Sequence, residues 1–115
     1  MEADVIDFVS DLHLCPQMPR TLAAFLNYLG STQAKTLVLL GDVFEAWVGD
    51  DAMSQAFEAR CVDALRAFST QRTLLIMRGN RDFLVGPAFL EASGAQGLSD
   101  PCTLETPHGR ALLSH

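Results

Sequence analysis

The stretch TLVLLGDVFEAWVGDD, residues 36–51, decides how this chain of 115 residues folds. Its first five residues form a nearly continuous apolar run, which is typical of a parallel strand that is covered on both faces. Gly41 and Asp42 follow at once, so a residue that permits a tight turn is joined to a carboxylate at the end of the strand. Similar apolar runs predict three further strands, at residues 5–10, 73–77 and 110–114.

Helical periodicity separates the first three of these strands. One apolar stripe follows Pro19 and is expected to end at Gly30, and a second runs from Met53 to Ser69. A shorter third helix is expected at residues 87–93. Strands that alternate with helices predict an α/β fold with mostly parallel pairing at the start. A short strand near residues 102–104 and a turn at 107–110 are expected after them.

Composition and charge exclude several classes of protein. The chain is 49% hydrophobic and 19% charged, which argues against a disordered tail or a disulfide scaffold. Its formal net charge is −6, and an acidic protein is a poor nonspecific binder of nucleic acid. Three cysteines with no CxxC pair predict idle thiols in a reducing cytosol. The acidic start at residues 1–4 lacks the basic residues and long apolar run of a signal peptide, so none is expected, and no apolar stretch in the sequence reaches membrane-spanning length.

Residues that can bind metal follow each predicted strand: Asp11 and His13, then Asp42, then Asn80, then His115. Ligands bind beyond the carboxyl ends of the strands in α/β sheets, so these side chains are expected to converge. Carboxylate, imidazole and amide donors suit Mn²⁺, Fe or Zn²⁺. The Asp-x-His spacing places both side chains on one side of an extended backbone, and Asp42 could bridge two ions that act on phosphorus. Each of these motifs alone also occurs in ordinary turns, but their combination at successive strand ends favours a metal site.

These residues resemble the motifs of the calcineurin-like metallophosphoesterases, which read D-x-H, G-D, G-N-H-[DE], a lone His and G-H-x-H. This sequence has D-x-H at residues 11–13, G-D at residues 41–42 and His115 as the lone histidine. In place of G-N-H-[DE] it has Gly-Asn-Arg-Asp at residues 79–82. The departure is Arg81, which stands where most of the family has histidine. An arginine stays cationic and can pair with phosphate oxygens. The blocks at 40–51 and 79–84 narrow the resemblance to the UDP-2,3-diacylglucosamine hydrolases of lipid A biosynthesis.

The resemblance implies a four-layer α/β/β/α sandwich with a pair of Mn²⁺ ions. The implied roles are Asp11 and His13 on the first ion, Asp42 as the bridge, Asn80 and His115 on the second ion, and Asn80 and Arg81 on the substrate phosphates. Asp42, Asn80 and Arg81 are thus the implied catalytic residues. The implied reaction cleaves the pyrophosphate of UDP-2,3-diacylglucosamine to 2,3-diacylglucosamine 1-phosphate and UMP. The implied setting is the cytoplasmic face of a Gram-negative inner membrane, where such an enzyme is peripheral.

The resemblance also implies that residues 1–115 are the N-terminal part of such a domain. The family's G-H-x-H and lipid-binding cap would lie beyond His115, which ends an apolar run. We therefore expect this piece alone to be inactive and poorly stable, because apolar surface meant for a second sheet would face water.

Three other interpretations stay open. The chain could belong to a different two-metal phosphoesterase, although Arg81 disfavours it. It could be a noncatalytic nucleotide-binding module, but no glycine-rich phosphate loop is present. It could also be a metal-free scaffold, against which the intact ligand set argues. Among neighbouring residues, Phe44 and Trp47 are expected in the core, with an acyl-chain groove as the alternative. Glu45 is expected in a supporting or exposed position, and Asp50–Asp51 as a cap of the helix near Met53.

Overall fold

The computed structural model describes residues 5–79, 84–106 and 109–115. In chain order the elements are β1 (Ile6–Val9), α1 (Pro19–Ser31), β2 (Thr36–Leu39), a 3₁₀ helix (Asp50–Ser54), α2 (Ala56–Ser69), β3 (Thr73–Met77), α3 (Pro87–Ser93), β4 (Gln96–Leu98), β5 (Cys102–Thr106) and β6 (Gly109–Leu113). Among these residues, no helix has the length and apolar character needed to cross a membrane.

A parallel sheet of four strands organises the fold, in the order β1-β2-β3-β4. The register pairs Phe8 with Val38, and Val38 with Leu75, so the three longer strands start and end nearly level. Their carboxyl ends therefore meet at one edge, and the predicted α/β class is confirmed. Strand β4 was not predicted, because Gln96–Leu98 is only three residues long and carries no apolar run.

The two faces of β2 explain why its sequence is apolar throughout. Leu37 and Leu39 pack into the cluster formed with the helices, whereas Val38 packs against Leu75 and Leu113 on the opposite face. Leu37, Val38 and Leu39 are all fully buried. Neighbouring strands flank β2 on both edges, and separate apolar layers cover its two faces. This position in the sheet therefore requires a continuous apolar run.

The predicted strand at residues 110–114 forms as β6, but it lies outside the parallel sheet. It pairs antiparallel with β5, with Thr106 opposite Gly109, and this hairpin covers the second face of the sheet. A connection this short cannot make a parallel crossover, which needs a dozen or more residues. The described residues thus build three layers: helices, parallel sheet and hairpin. Phe8 and Leu112 remain 45% and 78% exposed.

Two helix boundaries differ from the prediction. Helix α1 runs through Gly30 and ends at Ser31, where Thr32 turns extended and its backbone N–H donates to the Tyr28 carbonyl oxygen. Helix α2 begins at Ala56, because the residues around Met53 form the separate 3₁₀ helix. A single glycine or one apolar residue does not fix a helix end when the neighbouring turn can continue the hydrogen bonding.

The prediction that Asp50–Asp51 cap the helix near Met53 is wrong, because neither the 3₁₀ helix nor α2 has a side-chain cap. Asp50 instead caps the start of α3. The Asp50 carboxylate accepts hydrogen bonds from the backbone N–H groups of Gly86 at 3.0 Å and Phe89 at 3.1 Å, which belong to the start of α3. It also accepts from the Trp47 indole at 3.1 Å. Burial by itself would raise the pKa of Asp50, but these donors together outweigh it and hold the pKa below its ordinary value. Asp50 therefore joins the loop after β2 to the first turn of α3.

Replacing Asp50 with alanine should lower the free energy of unfolding by about 1–3 kcal/mol, because three donors lose their acceptor. Urea denaturation measures the loss. Since the folded pKa of Asp50 is lowered, the difference from wild type should be full above the ordinary carboxyl pKa and shrink as the pH falls through the folded value. The matched control is Asp51→Ala, which removes an exposed carboxylate next to it. Equal losses in both variants, independent of pH, would refute the capping role.

Candidate metal centre

The loops that follow β1 and β2 run side by side beyond the end of the sheet. The backbone bonds are Asp11 N–H to Gly41 O (3.1 Å), His13 N–H to Asp42 O (3.0 Å), Leu14 N–H to Val43 O (2.8 Å) and Glu45 N–H to Leu14 O (3.0 Å). Leu14 and Phe44 form a parallel bridge within this pairing, and both are buried. The ladder between β1 and β2 therefore continues past the strands and brings the predicted ligands of the two loops together.

Three predicted ligands form one cluster. Asp11, His13 and Asp42 each offer one ligand atom, and these atoms all lie within 4.8 Å of one another. His13 Nε2 is 3.8 Å from Asp11 Oδ1. His115 joins them, with its Nε2 3.3 Å from Asp42 Oδ2. Four of the five predicted metal ligands thus meet at the edge of the sheet.

The other predicted site residues fall in the segment at 80–83. Asn80, which completes the predicted ligand set, and the predicted phosphate contact Arg81 both lie outside the described residues. Their roles stay predictions. Gly79, the last described residue before them, lies against Asp42, so the loop after β3 enters this edge of the sheet beside the cluster.

The extended backbone predicted for the Asp-x-His motif is wrong. Asp11 and His13 have positive φ angles of 58° and 51°, and Asp42 has 50°. Left-handed backbone is uncommon for residues other than glycine, and it persists where the surrounding structure fixes it, often at functional sites. The bonds between the two loops supply that constraint, because they fix the N–H groups of Asp11 and His13. The curled backbone, rather than strand alternation, brings the two side chains together.

Two glycines make the close packing around Asp42 possible. A Cβ at Gly79 would lie 2.4 Å from both the backbone nitrogen and Oδ1 of Asp42. A Cβ at Gly41 would lie 2.7 Å from His115 Nδ1, and φ is +95° at this glycine. Glycine was expected at both positions for turns near a ligand. The structure shows a more specific reason, which is direct contact with the side chains of Asp42 and His115.

Burial and charge set the electrostatics of the site. Asp42 is only 7% exposed, and a carboxylate removed from water needs a compensating partner. His115 is one such partner, and its Nδ1–H donates to the Leu40 carbonyl at 2.6 Å. That hydrogen bond raises the pKa of His115, and the nearby carboxylates of Asp42 and Asp11 raise it further. Burial lowers the pKa, but the net shift is upward. The backbone N–H of His115 also donates to Asp100 Oδ1 at 3.2 Å, a contact with no signal in the sequence.

Phe44, Trp47 and Glu45 lie in the loop after β2, close in sequence to Asp42. Phe44 and Trp47 are buried core residues whose ring centroids are 4.6 Å apart, and both pack around Phe89 of α3. Glu45 supports the cluster directly, because its Oε2 lies 2.9 Å from His13 Nδ1. The sequence alone predicts no partner for Glu45, since the pairing of the two loops cannot be derived from local sequence patterns.

The donor set and its packing fit a divalent cation. Two carboxylates and two imidazoles converge from three segments, and the oxygens of Asp42 face different neighbours: Oδ2 faces His115 and Oδ1 faces Gly79. Oxygen and imidazole ligands of this kind suit Mn²⁺, Fe and Zn²⁺.

Comparison with known proteins points in the same direction. The sequence profile of the family described as "Calcineurin-like phosphoesterase" matches residues 5–105. The UDP-2,3-diacylglucosamine hydrolase of Chromobacterium violaceum is 46% identical over 112 residues, which is 96% of this chain and 47% of that protein. The hydrolase of the same name from Pseudomonas putida is 42% identical over 113 residues, with the same coverage of each chain. The chain therefore spans about half the length of the curated relatives it matches.

A solved structure supports the fold independently. The crystal structure of the Pseudomonas putida nuclease MPE matches 85% of this chain and 49% of its own, with a TM-score of 0.60 and 27% sequence identity. At this coverage and TM-score, most of the chain shares the fold of that structure.

Replacing Gly79 with alanine should lower the free energy of unfolding by about 1–3 kcal/mol, because the new Cβ would overlap with Asp42. The matched control is Gly30→Ala in α1, where a Cβ meets nothing within 4 Å. Alanine is a better helix former than glycine, so this control should stabilise the protein by about 0.5–1 kcal/mol. Urea denaturation of both variants measures the contrast. A Gly79→Ala variant as stable as wild type would show that the close approach to Asp42 is not required.

Proposed function

Since this chain belongs to the calcineurin-like phosphoesterase family, we propose that it carries the metal centre of a hydrolase that cleaves the pyrophosphate bond of UDP-2,3-diacylglucosamine. The products would be UMP and 2,3-diacylglucosamine 1-phosphate. The observation that carries the proposal is the convergence of Asp11, His13, Asp42 and His115 at one sheet edge. The names of the curated relatives, at 42% and 46% identity over 96% of the chain, supply the substrate.

The proposed metal is Mn²⁺. Asp11 and His13 would hold one cation, and His115 and Asn80 would hold a second. Asp42 would contribute to both. When bound, the metal pair would lower the pKa of a water molecule and neutralise charge on the phosphoryl oxygens. The protein's own part is to keep the ligands in place. The paired loops fix Asp11 and His13, while the two glycines let Asp42 and His115 pack together.

The charge of the chain supports a cation at this site. A pyrophosphate is strongly anionic, the chain has a formal net charge of −6, and the cluster contains two carboxylates. Like charges at such short range repel, so the pyrophosphate would bind here only with the carboxylates neutralised. Arg81 would add a fixed positive charge, since a guanidinium can pair with two phosphate oxygens. Its proposed role, like that of Asn80, is to orient the substrate phosphates.

The acylated substrate implies a place at a membrane surface. We propose that the protein acts as a peripheral protein on the cytoplasmic face of the inner membrane, with no nucleic-acid partner. Val48 and Leu84 expose apolar side chains close in sequence to the loops of the site, which agrees with a lipid substrate.

A second candidate is a phosphodiesterase with a different substrate. The similarity to the nuclease MPE, at 27% identity, favours it. The negative charge of the chain counts against nucleic acid, because binding its phosphates requires clustered lysine and arginine.

A chimera tests the proposed function. Residues 1–115 of this chain replace the matching segment of the Chromobacterium violaceum hydrolase, which supplies the rest of a full-length enzyme. We expect Mn²⁺-dependent release of UMP from UDP-2,3-diacylglucosamine, and no release by the 115-residue chain alone. In the chimera, Arg81→Ala should lower kcat/KM by about 10²–10³-fold, because a fixed charge on the phosphates is lost. Arg60→Ala, at an exposed position of α2, is the matched control.

A folded chimera that cleaves DNA or bis-p-nitrophenyl phosphate but releases no UMP would favour the second candidate. A folded chimera that cleaves none of these substrates would refute both.

A further inference from the structure

The ring of His13 faces two different carboxylates. Its Nδ1 lies 2.9 Å from Glu45 Oε2, whereas its Nε2 lies 3.8 Å from Asp11 Oδ1. Glu45 is not one of the predicted metal ligands, and it does not belong to the cluster of Asp11, His13 and Asp42. One side of the imidazole is therefore directed to the metal cluster and the other to a carboxylate outside it.

The backbone fixes Glu45 relative to His13. The N–H of Glu45 donates to the Leu14 carbonyl at 3.0 Å, and the N–H of Leu14 donates to Val43 at 2.8 Å. These bonds flank the bridge between Leu14 and Phe44, whose side chains are buried in the core beneath the helices. Moving Glu45 away from His13 would break part of this ladder. The contact between their side chains thus follows from the same pairing that forms the site.

The chemistry of the pair selects one form of the imidazole. A neutral imidazole has one N–H and one nitrogen lone pair, and an ionised carboxylate can only accept. With Glu45 beside Nδ1, the proton belongs on Nδ1, and the lone pair is left on Nε2, which faces Asp11. A carboxylate behind a ligand histidine also increases the basicity of the ligating nitrogen.

We propose that Glu45 is a positioning residue of the metal centre, which holds His13 in the Nδ1–H tautomer and directs Nε2 to the cation. This inference rests on the proposed metal site. It adds a residue outside the ligand set and gives the acidic residue three positions after Asp42 a specific task.

The test uses the full 115-residue chain, labelled with ¹⁵N at histidine and free of metal. At about pH 8, where an ordinary histidine is neutral, ¹⁵N chemical shifts distinguish the two tautomers. Wild type should show His13 protonated on Nδ1. Glu45→Ala should lose this preference, and its affinity for Mn²⁺, titrated by calorimetry, should fall by about 10–100-fold. Glu45→Gln keeps a carbonyl oxygen as acceptor and should recover part of both.

The matched control is Glu91→Ala, which removes an exposed carboxylate from α3 and should change neither the tautomer nor the affinity. An Nδ1–H tautomer and an Mn²⁺ affinity unchanged in Glu45→Ala would overturn the inference. If that variant fails to fold, Glu45→Gln decides: wild-type values for both would overturn it, and a weakened tautomer preference with lower affinity would support it. A wild-type chain that binds no Mn²⁺ contradicts the proposed metal site instead, and the tautomer shift then still shows whether Glu45 orients His13.

Discussion

The buried carboxylate of Asp42 is the constraint around which the site is arranged. An ionised carboxylate that is 7% exposed is costly unless partners compensate its charge. The imidazole of His115 lies 3.3 Å from one of its oxygens, and Gly79 lets the loop after β3 approach the other. Asp42 itself stands in left-handed backbone, in the loop that follows the apolar strand β2. Strong burial, an imidazole partner and unusual backbone at one residue are the features expected of a functional position.

The position of His115 shows how the hairpin of β5 and β6 contributes to the metal centre. The residue follows β6, which belongs to the hairpin and not to the parallel sheet. The hairpin packs through Leu113 against Val38 and Met77, and this packing carries the next residues over the edge of the sheet. Three bonds then fix His115: Nδ1 to the Leu40 carbonyl, the backbone N–H to Asp100, and Nε2 to Asp42. The ligand set therefore depends on both faces of the sheet.

Much of this arrangement could be predicted from the sequence, and the exceptions have physical reasons. The apolar runs of β2 and β3 identify them as central parallel strands, and the residues after them as site residues. Strand β4 lacked such a run, and the antiparallel pairing of β6 depends on how short its connection to β5 is. The left-handed backbone of Asp11 and His13 depends on bonds to a loop about 30 residues away, which no local pattern reveals. For the same reason, the partners of Glu45 and Asp50 could not be predicted.

The role of Asp42 at the metal centre is tested most directly by the affinity for Mn²⁺ of an Asp42→Asn variant of the 115-residue chain, measured by calorimetry. The substitution keeps the size of the side chain and removes its charge. We expect wild type to bind Mn²⁺ and the variant to bind it more than about 100-fold more weakly, since the loss of a ligand should exceed that of an outer partner. Asp51→Asn, which changes an exposed carboxylate nearby, should bind as wild type does. Equal affinity in wild type and Asp42→Asn would show that Asp42 is not a ligand of the metal.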